Sequence, residues 1–300
     1  MDRPVIRIRG RSKSMIRRLL SAAVAVLAVA FLSVPSATAL ALPTAKDFVS
    51  HLDLECFRTS QYQPPATTLM VRHLNPVLSG LPVETVTLGP REQLCTPVAK
   101  NNNIPPDSVL EFIRFVDVAC YRISGIAVNM TLVLHQINPL LTDVPRQQVV
   151  MGVPQQLCVP VLKNNLLPPD EVLKFISHID LKCYAITPNT PMNRALNLQQ
   201  LNRVLAGPIP PRDVRVTNAR QLCVPVQKRG DEIPPEVLRI LQWIDLEKYD
   251  ILPATANPTV SLTLRHLNPV LSHLPGEQAL IGGQSQLAVP VAKNGQFPPG

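Results

Sequence analysis

The chain has 300 residues, 46% of them hydrophobic but only 4% aromatic, with 32 prolines, six cysteines and a formal charge of +8. Residues 1–39 hold seven Lys/Arg and one Asp, so 22 basic and 20 acidic groups remain beyond them. Basicity therefore belongs to the N-terminus, and it lends no support to a nucleic-acid partner.

The first 41 residues read as an export signal. Residues 1–18 are rich in Arg, residues 19–34 are apolar (LLSAAVAVLAVAFLSV), and Pro35 ends the run. Ala37-Thr38-Ala39 and Ala39-Leu40-Ala41 supply small-x-small cleavage patterns. The apolar run falls short of the roughly 20 residues that span a bilayer as a helix. A Sec-type signal cleaved after Ala39 or Ala41 is expected, giving a secreted, extracellular protein. Membrane contact would come only through an uncleaved signal segment.

Beyond it, three phrases recur in the same order. The first is HLDLECF from His51, FVDVACY from Phe115, HIDLKCY from His178 and WIDLEKY from Trp243. The second is LMVRHLNPVL from Leu69, LVLHQINPLL from Leu132, LNLQQLNRVL from Leu196 and LTLRHLNPVL from Leu262. The third is QLCTPVAKNN from Gln93, QLCVPVLKNN from Gln156, QLCVPVQKRG from Gln221 and QLAVPVAKNG from Gln286. These phrases divide the chain into segments 42–106, 107–169, 170–235 and 236–300, each closing on Pro-Pro.

Alternation in FVDVACY and LTLRHL predicts strands with one buried face. Asn75, Asn138, Asn202 and Asn268 follow the second strand, where a short amide that tolerates the left-handed region suits a corner. A third strand is expected at 84–88, a fourth through Gln-Leu-Cys, and turns at Asn-Asn, Arg-Gly and Asn-Gly. Proline followed by an early acid, as at Pro106-Asp107 and Pro235-Glu236, opens a short helix. The expected fold is mainly β: four tandem, small sandwich- or barrel-like repeats of about 63 residues, each with one short connecting helix.

Six cysteines in an exported chain point to disulfides. The first three segments each carry one Cys in the first strand and one in the last, pairing Cys56 with Cys95, Cys120 with Cys158 and Cys183 with Cys223. The fourth has Lys248 and Ala288 at those places, and the two halves of a bond disappear together. Closing a loop of this size contributes about 4 kcal/mol in the chain-entropy model, a large share of so small a unit's stability. Trp243 is the expected substitute anchor in the fourth segment.

Zinc would need more ligands than two thiolates, and no His recurs at every copy: His73 and His266 align with Gln136 and Gln200, His51 and His178 with Phe115 and Trp243. No C-x-x-C redox pair, catalytic signature or cofactor motif is present, so no metal, cofactor or catalytic residue is assigned. Two polar positions do recur: Asp53, Asp117, Asp180 and Asp245, and Lys100, Lys163, Lys228 and Lys293. They would make a repeated ligand for an anionic or polymeric partner. The structural alternatives, edge charges that keep a strand soluble or ion pairs between first and last strands, carry more weight. Asn129-Met130-Thr131 matches a glycosylation sequon by pattern alone.

Together, H-x-D-L-x-C-Y, the Leu-rich second phrase and Q-L-C-x-P-V-x-K-N resemble an uncharacterised domain family of secreted bacterial proteins. In that family a Cys-Tyr strand and a Leu-Cys-x-Pro-Val-x-Lys strand frame a small β-rich unit, often in tandem. The resemblance implies export and a β fold, and no activity. The expected function is a non-enzymatic secreted repeat protein with a structural, surface-associated or binding role, its partner a cell-surface polymer or another secreted protein. Two alternatives stand beside it. One is a hydrolase with a site between repeats; the other is a protease-inhibitor-like protein using loop Gln61–Thr67 or its counterparts at 125–129 and 188–194.

Overall fold

The computed structural model describes residues 40–253 and 259–300. The expected export segment, residues 1–41, lies outside the described residues except for Leu40 and Ala41. No described helix is long and apolar enough to cross a membrane. Residues 41–300 form one compact unit.

The first segment supplies helix α1 (Ala45–Ser50) and strands β1 (Leu54–Tyr62), β2 (Thr68–His73), β3 (Glu84–Thr87) and β4 (Arg91–Lys100). The second supplies α2 (Asp107–Ile113), β5 (Val118–Arg122), β6 (Met130–Gln136) and β7 (Gln147–Lys163). The third has α3 (Asp170–Ile176), β8 (Leu181–Thr187), β9 (Pro191–Gln200), α4 (Arg203–Ala206) and β10 (Arg212–Lys228). The fourth has α5 (Pro235–Leu241), β11 (Leu246–Leu252), β12 (Val260–His266) and β13 (Glu277–Lys293). The expected third and fourth strands are separate only in the first segment. In the others they run on as one long strand, and β-bulges interrupt its pairing in all three.

The segments do not close into separate small sandwiches or barrels. First and last strands alternate around a ring, β1–β4–β5–β7–β8–β10–β11–β13, and β13 pairs back onto β1, every pairing antiparallel. One shared barrel removes the edges that four two-stranded units would each expose. Within segments the pairing is Cys56 opposite Cys95, Cys120 opposite Cys158, Cys183 opposite Cys223 and Lys248 opposite Ala288. At the boundaries the register slips by two: Gln93 faces Cys120, Gln156 faces Cys183, Gln221 faces Lys248 and Gln286 faces Cys56. That repeated stagger tilts the strands and lets the ring close.

Each last strand changes partner at its proline. Beyond Pro97, Val98–Lys100 of β4 pairs with β9, and beyond Pro225, Val226–Lys228 of β10 pairs with β2. Likewise the ends of β7 and β13 pair with β12 and β6. A residue without an N–H suits the point where a strand leaves one ladder for another. First and third segments thus exchange second strands, as do second and fourth. These outer strands cover the barrel wall, burying Leu94, Leu157, Leu222 and Leu287 of the Gln-Leu-Cys phrases in two apolar clusters.

Helices α1, α2, α3 and α5 lead into the first strands, with Phe48 and Phe112 packed edge-on against Phe175 at 4.8 and 5.5 Å. The first and last parts of the compact unit meet there. Lys46 N donates to Pro299 O at 3.0 Å, so the last Pro-Pro stands before α1 as Pro105-Pro106 stands before α2. Turn asparagines behave as expected, with Asn101, Asn102, Asn164, Asn165 and Asn294 all at positive φ. The corner asparagines do bond their own backbone, Asn75 accepting from Val77 N and Asn202 from Val204 N to cap the short turns that follow, but both are extended (φ −64° and −75°) and not left-handed.

Candidate functional site in the barrel mouth

Period-2 alternation puts the cysteine positions on one face of every wall strand, and the ring turns that face inward. Lys248 of β11 proves the direction. Its Nζ donates to the amide oxygens of Gln93 (2.7 Å) and Gln156 (2.9 Å), on β4 and β7, neither a ring neighbour of β11. The lumen therefore holds a layer made of three disulfides, Cys56–Cys95, Cys120–Cys158 and Cys183–Cys223, closed by Lys248 and Ala288. Adjacent disulfides touch, with Cys95 and Cys120 sulfurs 3.8 Å apart and Cys158 and Cys183 the same. Three such bonds fit an oxidising, extracellular-type environment.

Two residues along each last strand lie Gln93, Gln156, Gln221 and Gln286, which line an open cavity of about 920 Å³ at the end of the barrel away from the helices. Arg58, Tyr62, Arg122 and Asp250 add to its wall. Its polar groups are chained together. Gln156 donates to Glu92 (2.7 Å), which accepts from Arg122 (2.6 Å). Gln93 donates to Gln286 (2.9 Å) and Ser285 (3.0 Å); Gln286 donates to Asp250 (3.3 Å), which accepts from Arg220 (2.6 Å). Both chains start at Lys248, whose donated protons set the orientation of the two amides above it.

Lys248 is unusual in its electrostatics. Buried Lys100, Lys163, Lys182, Lys228 and Lys293 each sit against a carboxylate. Among the described residues Lys248 makes no such pair. Burial pushes its pKa down to about 7, opposed by the charge of Glu92 on the far side of Gln156. Across the same strand Glu247 is also buried, accepting from Tyr249 (2.7 Å), Gln136 (3.0 Å) and Gln147, and burial raises its pKa to about 7.

The recurrent Asp and Lys positions lie elsewhere. Lys100 is 1% exposed and donates to Asp53 at 2.6 Å; Lys163 pairs with Asp117, Lys228 with Asp180 and Lys293 with Asp245. They are ion pairs between first and last strands, and the reading as exposed edge charges is corrected: the outer strands added beyond each proline bury them. Burial drives Asp53, Asp117, Asp180 and Asp245 up and Lys100, Lys163 and Lys293 down, while the partner's charge opposes the shift. No Asp or Lys of these pairs lines the mouth.

A third member completes each pair. Asn138 donates to Asp53 (2.8 Å), Asn202 to Asp117 (2.9 Å), Asn268 to Asp180 (3.0 Å) and Asn75 to Asp245 (2.7 Å). Every segment thus holds the preceding one, and the first holds the fourth. Sequence reasoning took these asparagines for turn residues. Their recurrence beside an equally recurrent Asp was the signal available. It also passed over the four glutamines, which recur two residues before the cysteine site on an alternating strand. Trp243, expected as the fourth segment's anchor, is only half-buried. The histidines pack: His73 bonds Tyr184 (2.8 Å), His178 bonds Asp231 (2.7 Å), and His266 reaches Glu277 (3.1 Å).

No group of three or more His, Cys, Asp or Glu suited to a metal is found among the described residues. Cavity, fixed amides and a buried amine can together hold a polar solute. No protein-family model, curated protein or solved structure matches the chain.

Proposed function

We propose that this chain is an exported, non-enzymatic binding protein built from four copies of one unit, and that its barrel mouth holds a small polar ligand or the end of a polar polymer. The observation that carries the reading is the cavity of about 920 Å³ walled by four glutamines, three of which (Gln93, Gln156 and Gln286) have their amides held in hydrogen-bond chains. Preorganised polar groups in a concave site favour a ligand because they need little ordering when it arrives. The disulfide layer beneath suits a wall that keeps its shape outside the cell. The partner is a cell-surface polymer or another secreted protein, in keeping with the export that the resemblance to secreted domains implies.

The hydrolase reading is weaker on the same geometry. The cavity's carboxylates, Glu92 and Asp250, are each tied to an arginine at 2.6 Å, and neither stands free as an acid or base. The inhibitor loop has a different place: Gln61, Tyr62 and Gln63 form part of the mouth's wall. Glycan-array binding followed by hydrogen exchange tests the proposal. Ligand-dependent protection is expected at residues 58–63, 91–93 and 284–286. Binding with protection confined to the helical end would overturn it.

A further inference from the structure

We infer that the ligand of the mouth is a hydroxylated carboxylate, a sugar acid, whose anionic group supplies the counter-charge that the buried Lys248 ammonium lacks. The inference rests on the mouth being the ligand site.

Three observations converge on it. The first is the charge count around the cavity. Arg122 is matched by Glu92, Arg91 by Glu277 and Asp250 by Arg220. Arg58 on the wall and Lys248 under the floor have no ion pair among the described residues. Two unmatched cations bracket the space, and the field inside it attracts an anion.

The second is how Lys248 is held. Its Nζ has two neutral acceptors, the amide oxygens of Gln93 and Gln156, where an ammonium carries three protons. Burying an ammonium without a carboxylate is costly, and every other buried lysine of the barrel avoids it. Disulfide-bonded cysteines, Cys56, Cys120 and Cys183, fill the equivalent places of the other quarters. A charge kept at the floor of a cavity against that cost has a use when a ligand neutralises it.

The third is the rest of the wall. Four glutamine amides, Ser285 and the Tyr62 ring offer donors, acceptors and an aromatic face to hydroxyl groups and a sugar ring. Gln93 and Gln156 separate Nζ from the cavity by a single side chain. Rotation of either amide lets a carboxylate take its oxygen's place on Nζ, exchanging a neutral hydrogen bond for a charge-assisted one.

Isothermal titration calorimetry of the full chain at pH 6 with D-glucuronate and D-glucose tests this. Glucuronate is expected to bind at least tenfold more tightly than glucose. Lys248→Met, and separately the double change Lys248→Cys with Ala288→Cys that closes the layer with a fourth disulfide, should each cost about 30-fold for glucuronate. Each should weaken glucose binding by no more than about threefold, the loss expected when the Gln93 and Gln156 amides are released from Nζ. The double variant keeps the test decisive if the Met variant folds poorly. Equal binding of both sugars, unchanged in both variants, would overturn the anion and leave the mouth as a neutral-sugar site. Failure of both sugars to bind would sink the mouth reading as well.

Discussion

Three quarters of the barrel wall are crossed by a disulfide, and the fourth sets Lys248 opposite Ala288 in the same register. The segment without the bond differs from the others in its lumen, and it keeps their pairings to the outer strands and their buried Asp–Lys–Asn triad. What replaces the bond is the ring: β11 pairs with β10 as well as β13, and β13 pairs with β1, β6 and β12. A cross-link that a lone 63-residue unit would need becomes dispensable once neighbours hold both strands. The freed position then accommodates a group whose value is chemical.

That comparison breaks most sharply at the triads. Lys163→Met strands Asp117 in a braced quarter, and Lys293→Met strands Asp245 in the unbraced one. Each should cost about 3–5 kcal/mol in urea unfolding, because a buried charge loses its partner. Equal losses would show that the disulfide and the triad act independently. A markedly larger loss at Lys293 would mean that the bond shares the triad's task.

A smaller effect sharpens the contrast through pH. Glu247 has its pKa raised by burial from 4.5 to about 7, so the folded state binds this proton more tightly than the unfolded state. Its contribution is fully present below pH 4.5 and is lost as pH rises through 7. Glu247→Gln should therefore remove a decline on the order of 3 kcal/mol across that window, read from unfolding curves at successive pH values. Lys248 has the opposite sign: with its pKa lowered, its contribution is present above pH 10.5 and is lost as pH falls through 7. A Glu247→Gln profile parallel to the wild type would contradict the burial of that carboxyl.

The smallest expected change is the completed layer. Lys248→Cys with Ala288→Cys should lose two hydrogens on oxidation in intact-mass spectra and gain about 1–2 kcal/mol, below the chain-entropy figure because the ring already restrains both strands. A gain as large as that figure would show the fourth quarter to be looser than its pairing implies.

Much of this was legible from residues alone. Alternation placed the strands, and the joint absence of two cysteines paired the other six as the structure has them. The Pro-Pro-acid signals placed α2, α3 and α5. Helix α1 was expected as the first segment's one helix but could not be placed, because its Pro-Pro is the last, at 298–299, reached through space. The site was illegible for a related reason. Gln93 looks like one more polar residue until β4 is seen to face β11 across a lumen, and Lys248 looks like a lost cysteine.

The amino-acid sequence by itself determined the local chemistry: which residues alternate, where prolines interrupt a ladder, which cysteines are partners. Those are matters of neighbours within a few residues or of one segment set against another. Only the tertiary structure decided that the segments share one barrel, that opposite segments exchange strands, and that four glutamines and an amine meet in one mouth. Such facts depend on ring closure and on the two-residue stagger at each boundary, and closure is a property of all the strands together.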